Sequence, residues 1–161
     1  MNKADDFIKL IKHPVKFRMF LLMKLPSAFF CGVRVKNISK EKAEVIVPYK
    51  WLSQNPFKST YFACLAMAAE MSTGLLAMMH TYKNNPAVSM LVIGLQATYH
   101  KKATGITTFI CEDGIAISDT VAAAILSGEG KTFKAKSVGR NNEGEIVAEF
   151  FIEWSFKAKS H

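Results

Sequence analysis

Cysteine and histidine are scarce in this sequence, and neither is spaced like a set of ligands. The three cysteines, Cys31, Cys64 and Cys111, lie far apart without a CxxC pair, and their odd number argues against a disulfide framework. The four histidines form no cluster with metal-ligand spacing. The sequence therefore predicts no metal site and no redox cofactor.

Acidic residues are also few. Against 21 Lys and Arg there are 13 Asp and Glu, which gives the 161 residues a formal net charge of +8. A basic surface favours anionic partners such as phosphates, nucleic acid or acidic lipid, without choosing among them. Hydrophobic residues make up 50% of the chain and charged residues 21%, which is typical of a globular protein. We expect one domain, residues 1–161, with a substantial core.

Long uninterrupted apolar runs are absent. Lysine and arginine break every apolar stretch of residues 1–30, so we expect no signal peptide and a cytoplasmic protein. The most apolar segment, residues 55–80, is interrupted by Tyr61, Glu70 and Thr73, and no run reaches the ~18 residues of a membrane-spanning helix. The sequence therefore predicts a buried helix here and no membrane insertion.

The spacing of apolar residues predicts a helical arm followed by two strands. Residues 1–26 have helical periodicity, with Pro14 splitting the arm into two helices and Pro26 ending it. The period then changes to two within residues 31–38 and 42–49. This alternation predicts two antiparallel strands joined by a polar turn.

A long helix is predicted over residues 59–82, with Ser59 or Thr60 as its N-cap. Four more strands follow it, interrupted by a short helix with Ser118 as N-cap and Gly128 at its C-terminal end. Since the long helix is apolar on all sides, it needs cover that a curved antiparallel sheet can supply. The predicted fold class is α+β: a long central helix wrapped by an antiparallel sheet of five to six strands, with an N-terminal helical arm.

Glu70 is the one formally charged residue between Lys58 and Lys83, in the middle of the most apolar segment. A buried charge is costly unless it is paired, neutral or facing a cleft. One interpretation is a structural carboxylate, bonded to backbone or to a partner subunit. The other is a general base or nucleophile whose pKa is raised by its apolar surroundings.

The segment NPFKSTYFACLAMAAE, residues 55–70, resembles the signature of the hotdog acyl-CoA thioesterases of the phenylacetate-pathway type. That signature is an Asn, then a His-Gly-Gly, then a helical Asp or Glu, and Asn55 and Glu70 match its first and last members. The chain is most similar to the DUF4442 branch of thioesterase-like proteins, whose function is unknown. It departs from the signature at Tyr61, Phe62 and Ala63, which stand in place of His-Gly-Gly.

The resemblance implies a hotdog fold and hydrolysis of acyl-CoA or a related acyl thioester, at a site on a dimer interface. Glu70 would activate water or attack directly, Asn55 would orient the water or the carbonyl, and Thr73 would hold the water. Backbone N–H groups of Phe62 or Ala63 would stabilise the oxyanion, and Tyr61 would line the substrate site. The resemblance also implies a homodimer or a tetramer, and no cofactor. The departure at residues 61–63 favours an alternative, a non-catalytic hotdog module that binds an acyl chain or acyl-CoA.

Basic residues form two groups that suggest a contact with the phosphates of coenzyme A: His100, Lys101 and Lys102 at one strand end, and Lys131, Lys134, Lys136 and Arg140 near another. A solvated surface explains the same groups. Asn55 and Thr73 likewise have ordinary roles, in turn chemistry and in bonding to the helix backbone. No helix-turn-helix is present and the aromatic residues are not interleaved with basic ones, so we expect no nucleic-acid binding.

Overall fold

A helical arm precedes a curved antiparallel sheet that holds one long helix. The structure, a computed structural model, describes residues 3–159. The helices of these residues are α1 (Lys3–Lys12), α2 (Pro14–Lys24), α3 (Pro26–Cys31), α4 (Phe62–Thr81) and α5 (Gly114–Ser127). Their strands are β1 (Arg34–Ile38), β2 (Ala43–Val47), β3 (Val88–Tyr99), β4 (Thr107–Cys111), β5 (Lys131–Arg140) and β6 (Ile146–Ala158).

The strands of residues 3–159 form one antiparallel sheet in the order β1-β2-β4-β5-β6-β3, so β1 and β3 are its edges. β3 pairs with β6 along the whole of β3, with Val88 opposite Ala158 and Tyr99 opposite Ala148. β5 and β6 form a hairpin across residues 141–145, where Gly144 has a φ of +83° that favours glycine. The predicted sheet of five to six antiparallel strands is confirmed.

α4 packs against β2, β3, β4, β5 and β6, and most of its residues are buried. Alternation along β5 turns Ala135 and Ser137 toward α4, and the hydroxyls of Ser72 and Ser137 lie 2.8 Å apart. Among the described residues, α4 is long and apolar enough to cross a membrane, but 67% of its most apolar window is buried inside the protein. Enclosure by the sheet accounts for its apolar composition.

The N-terminal boundary of α4 differs from the prediction. The helix begins at Phe62, and its N-cap residue is Tyr61, which makes no side-chain cap bond. Ser59 donates its hydroxyl to Asn55 Oδ1 instead, and the Thr60 N–H donates to Ala103 O. The predicted cap at Ser59 or Thr60 is therefore wrong, because both residues belong to the loop that approaches the helix.

The arm is longer than predicted. Pro14 does separate α1 from α2, and the ring of His13 accepts a bond from the Lys16 N–H at the start of α2. Pro26, however, does not end the helical region: it is the first residue of α3, a position where proline lacks no hydrogen bond that the helix needs. The arm ends instead at Gly32, whose φ of +84° stops α3.

α5 begins five residues earlier than predicted. Its N-cap position is occupied by Asp113 rather than Ser118, and the Asp113 carboxylate accepts a bond from the Lys136 N–H of β5. A side chain at Gly114 would collide with the backbone of Lys40, so glycine permits this close approach. Gly128 ends the helix in the left-handed conformation, as predicted.

Candidate functional site

Glu70 lies near the middle of α4, where its side chain is half-buried beside a small apolar cavity. Burial raises the pKa of the Glu70 carboxyl above its ordinary value. Among residues 3–159 its carboxyl group has no hydrogen-bond partner. This cavity, the Glu70 cavity, has a volume of about 70 Å³ and is lined by Phe17, Phe20, Leu21, Leu25, Glu70, Met71, Gly74, Leu75, Met78, Met90 and Trp154.

Gly74 provides the space that the carboxylate occupies. It follows Glu70 by one helical turn on the same face of α4. A methyl group on Gly74 would lie 3.0 Å from Glu70 Oε1 and 3.2 Å from Trp154 Cζ2, closer than the packing allows without a shift. Any larger residue at this position would therefore displace the carboxylate or the indole ring.

Thr73 supports this arrangement from behind. Its hydroxyl donates to the Glu70 carbonyl at 3.0 Å and accepts a bond from Trp154 Nε1 at 2.9 Å. Thr73 is fully buried and is absent from the lining of the Glu70 cavity. The predicted role of Thr73 in holding water stays a prediction, and in this conformation its hydroxyl positions Trp154.

Asn55 organises the loop before α4. Its Oδ1 accepts bonds from the Phe57 N–H at 3.0 Å, the Ser59 N–H at 3.2 Å and the Ser59 hydroxyl at 3.2 Å. Asn55 also lines a larger cavity of about 570 Å³ at the N-terminus of α4. This Asn55 cavity is lined by Asn55, Pro56, Phe57, Ser59, Thr60, Tyr61, Phe62, Leu65, Tyr99, His100, Lys101, Lys102 and Ala103.

Exposed aromatic rings form one wall of the Asn55 cavity. The rings of Tyr61 and Phe62 meet edge to face with centroids 4.8 Å apart, and Phe62 meets Tyr99 at 6.5 Å. Phe62 and Ala63 are the first two residues of α4, where backbone N–H groups have no partner within the helix. The N-terminus of α4 thus offers donors for a developing negative charge beside an aromatic surface.

The two cavities of one chain are separate. They have no lining residue in common, and Glu70 follows Phe62 by eight residues, which corresponds to about 12 Å along the helix axis. Within one subunit the structure therefore does not bring Glu70 together with Asn55 or with the first N–H groups of α4.

Of the two predicted phosphate-binding groups, the one on β5 lies away from both cavities. Lys134 and Lys136 are exposed on the face of β5 turned away from Ser137 and α4. Lys136 Nζ pairs with Glu149 at 2.8 Å, Lys134 Nζ donates to Gln96 at 3.3 Å, and Arg140 donates to Gly144 O at 2.8 Å. They line neither cavity described above. The basic residues that do line the Asn55 cavity are His100, Lys101 and Lys102.

Metal ligands do not assemble in the described part of the chain. No group of three or more His, Cys, Asp or Glu side chains that could hold a metal ion occurs within residues 3–159. The chemistry that the two cavities offer is therefore that of a carboxylate, backbone N–H groups and a basic rim.

Gly74 and Trp154 are site residues that the sequence alone did not single out. A glycine in a helix interior costs about 1 kcal/mol relative to alanine, and that cost is a signal of a close approach. The role of Trp154 carries no such signal, because it depends on β6 reaching α4 from 81 residues away.

Comparison with known proteins supports the same architecture. The family described as Domain of unknown function (DUF4442) matches residues 15–155. No curated protein sequence matches the chain.

Solved structures with the same fold share little sequence with this chain. A Pseudomonas aeruginosa protein of unknown function, described as a probable thioesterase, is 16% identical with a TM-score of 0.73 and covers 97% of this chain and 96% of its own. A Chlorobaculum tepidum protein of unknown function is 16% identical with a TM-score of 0.75, covering 89% and 93%. A Haemophilus influenzae thioesterase is 10% identical with a TM-score of 0.62, covering 87% and 88%. The fold of all these chains is the hotdog fold, as the resemblance implied.

Proposed function

We propose that this chain, which belongs to the DUF4442 family and has the hotdog fold, hydrolyses acyl thioesters, with acyl-CoA as the substrate class. The observation that carries the proposal is Glu70: a half-buried carboxyl group with a raised pKa, at the wall of an apolar cavity, without a hydrogen-bond partner among residues 3–159. A structural carboxylate would be expected to have such partners. The proposal includes a cytoplasmic location.

In the proposed reaction Glu70 acts as a general base. Its carboxylate takes a proton from water while the water oxygen bonds to the thioester carbonyl carbon. Backbone N–H groups of Phe62 or Ala63 donate to the oxyanion of the tetrahedral intermediate. As the intermediate collapses, the carbon–sulfur bond breaks and the thiolate leaves with the proton that Glu70 returns. Direct attack by Glu70, through an anhydride that water then hydrolyses, requires the same residues.

The proposed site needs two copies of the chain. Within one subunit Glu70 and the N-terminus of α4 belong to separate cavities about 12 Å apart along the helix. A second copy related by a two-fold axis would place the Glu70 of one subunit beside the helix N-terminus of the other. We therefore propose a homodimer, alone or within a tetramer.

The edge strand β3 is the proposed contact between subunits. Leu91, Ile93 and Leu95 on this strand are 65%, 50% and 52% exposed. A long apolar edge strand in a lone subunit is a template for pairing with another chain. Pairing two β3 strands would continue the sheet across the dimer and bring these side chains into contact with those of the partner strand.

The acyl group has an apolar route beside Glu70. A third cavity, of about 120 Å³, lies between the arm and α4, and it shares Phe17, Phe20, Leu75 and Met78 with the Glu70 cavity. An acyl chain bonded at the thioester carbon next to Glu70 would therefore extend under α2. The arm would form the roof over this chain.

The other end of the substrate fits the Asn55 cavity. Its aromatic wall offers stacking for an adenine ring, and His100, Lys101 and Lys102 at its rim offer charge for phosphates. A second hypothesis is that Lys134, Lys136 and Arg140 contact the phosphates. These residues lie on the opposite face of β5, so they could reach a substrate only if it were bound by another subunit of an oligomer.

A non-catalytic acyl-CoA-binding module is the second candidate. The bulky Tyr61 and Phe62, 45% and 55% exposed at the start of α4, favour it, because they crowd the N–H groups that an oxyanion would need. A thiol-release assay over acetyl-, octanoyl- and palmitoyl-CoA separates the candidates. Turnover supports the thioesterase. Binding of acyl-CoA without release of thiol supports the module.

A further inference from the structure

Cys31 and Cys64 lie in contact although 33 positions separate them in the sequence. Cys31 is the last residue of α3 and Cys64 belongs to the first turn of α4. Their sulfur atoms are 3.4 Å apart, and both residues carry free thiols. A disulfide requires a sulfur–sulfur distance of about 2.05 Å, so the two sulfur atoms must approach each other by about 1.4 Å to form the bond.

The two thiols differ in access. Cys31 is half-buried and Cys64 is 3% exposed, so a small molecule in solvent meets Cys31 first. Burial, together with contact with Cys31, raises the pKa of the Cys64 thiol to about 12, so Cys64 is protonated at neutral pH and is the slower of the two thiols to react. An accessible thiol with a second thiol beside it is the arrangement of a reactive and a resolving cysteine.

Simple core packing accounts for the third cysteine, Cys111, but not for the Cys31–Cys64 pair. Buried cysteine often serves as a small apolar residue, and Cys111, fully buried in β4, fits that role. Cys31 packs at the edge of the core but is partly open to solvent, and its sulfur donates to Leu52 O at 3.4 Å. Its orientation keeps the sulfur at the surface and against Cys64 at once.

We propose that Cys31 and Cys64 are a redox modification site, which a low-molecular-mass disulfide such as oxidised glutathione converts reversibly to an intramolecular disulfide. Cys31 loses its proton and its thiolate attacks one glutathione sulfur, giving a mixed disulfide and a glutathione thiolate that takes up the proton. Cys64 then loses its proton and its sulfur attacks Cys31 Sγ, forming the protein disulfide and releasing the second glutathione, which takes up that proton. The protein loses two electrons and two protons, and both end on the two glutathione thiols.

The disulfide would join the arm to the start of α4. Cys64 follows Phe62 by two residues, and the Cys64 N–H closes the first turn by donating to Tyr61 O at 2.9 Å. A shift of this turn toward α3 would move the Phe62 and Ala63 N–H groups. This consequence rests on the proposed function, whereas formation of the disulfide does not.

Redox titration of the full chain tests the site. Reduced protein is equilibrated in mixtures of reduced and oxidised glutathione, quenched with N-ethylmaleimide, and mapped by mass spectrometry after digestion. We expect the peptides of Cys31 and Cys64 to be linked at the oxidising end and separate again at the reducing end. The link should be lost in Cys31→Ser and kept in Cys111→Ala. A lasting Cys31–glutathione adduct, a link between two chains, or unmodified cysteines at every ratio would each overturn the proposal.

A hydrolysis measurement tests the consequence separately. After removal of glutathione, oxidised and reduced wild type are compared in the thiol-release assay, beside Cys31→Ser treated in the same way. We expect a several-fold change in kcat/KM in the wild type alone, and an unchanged rate in fully linked protein would overturn the coupling to α4. If no form releases thiol, the proposed function fails, and the peptide map still decides whether the disulfide site exists.

Discussion

Glu70 depends on Gly74, one turn later in α4, for the space that its carboxylate occupies. An alanine methyl at position 74 would lie 3.0 Å from Glu70 Oε1 and 3.2 Å from the indole of Trp154. The indole is held by Thr73 at 2.9 Å, so the carboxylate is the group with more freedom to move.

We predict that Gly74→Ala lowers kcat for thioester hydrolysis by several-fold, because the added methyl group would push the carboxylate by a few tenths of an ångström from its position. The cost to folding should be small, since alanine favours a helix interior by about 1 kcal/mol over glycine. Gly105→Ala is the matched control, because a side chain there meets nothing within 4 Å. Equal rates for the two variants in the thiol-release assay would show that Gly74 has no role in positioning Glu70.

The raised pKa of Glu70 also predicts how the free energy of unfolding depends on pH. Burial raises its pKa in the folded protein above the ordinary value of 4.5, so the folded state binds the proton more tightly than the unfolded state. The contribution of this group to stability is therefore full below pH 4.5 and is lost as pH rises through the folded pKa. In Glu70→Gln this contribution does not change with pH, because the amide does not titrate.

We thus expect the free energy of unfolding of Glu70→Gln, relative to wild type, to increase from pH 4.5 upward and then to level off. Urea denaturation at a series of pH values measures it. A difference that stays constant over this range would mean that Glu70 titrates alike in the folded and unfolded states.

At the scale of elements, α2 and α4 enclose the route proposed for the acyl chain. Phe20 lies on the wall shared by the Glu70 cavity and its neighbour under the arm, and it is 36% exposed. Its ring stacks on Phe17 with centroids 5.9 Å apart. Removing this ring would join the two cavities and open them.

We predict that Phe20→Ala shifts the preference among acyl-CoAs toward longer chains, with a several-fold change in the ratio of kcat/KM between palmitoyl- and octanoyl-CoA. Met23→Ala is the matched control, because Met23 lies on the same helix, is more exposed, and lines neither cavity. A uniform loss of rate over all chain lengths in Phe20→Ala would contradict the proposed route.

The elements themselves were largely predictable, because their periodicity is a local property. The change from helical to alternating spacing after the arm located β1 and β2, and the all-round apolar segment located α4. Boundaries that depend on tertiary contacts were missed. Pro26 suits either the end of one helix or the first turn of the next, and α5 begins at Gly114 because the backbone at Lys40 approaches it.

The candidate site was predictable only in part. The position of Glu70 among apolar residues can be seen in the sequence, and in the structure Glu70 lies at a cavity. The direction of the Thr73 hydroxyl toward Trp154 and the separate cavity of Asn55 depend on how α4 lies in the sheet. A side chain that is close in sequence to a catalytic candidate can therefore point away from the cavity in which that candidate lies.

At the scale of the whole molecule, the proposed site forms only when two copies of the chain associate. The edge strand β3 exposes Leu95, which is 52% accessible. We expect wild type at micromolar concentration to have at least twice the chain mass in analytical ultracentrifugation. Leu95→Lys should shift it toward the monomer and lower thiol release together, since the site would lose its second half. Leu126→Lys on α5, 88% exposed, is the control. A monodisperse wild-type monomer would contradict the shared site.

The most direct test of Glu70 as the catalytic carboxylate is a measurement of thiol release by Glu70→Gln. The amide keeps the shape of the side chain and removes the base, and a positioned general base contributes about 10²–10⁴-fold to a rate. We predict that kcat/KM falls by that factor while the variant remains folded, and that Glu129→Gln, on the exposed turn after α5, has the wild-type rate. A folded Glu70→Gln protein with the specific activity of the wild type would contradict the assignment of Glu70 as the catalytic carboxylate.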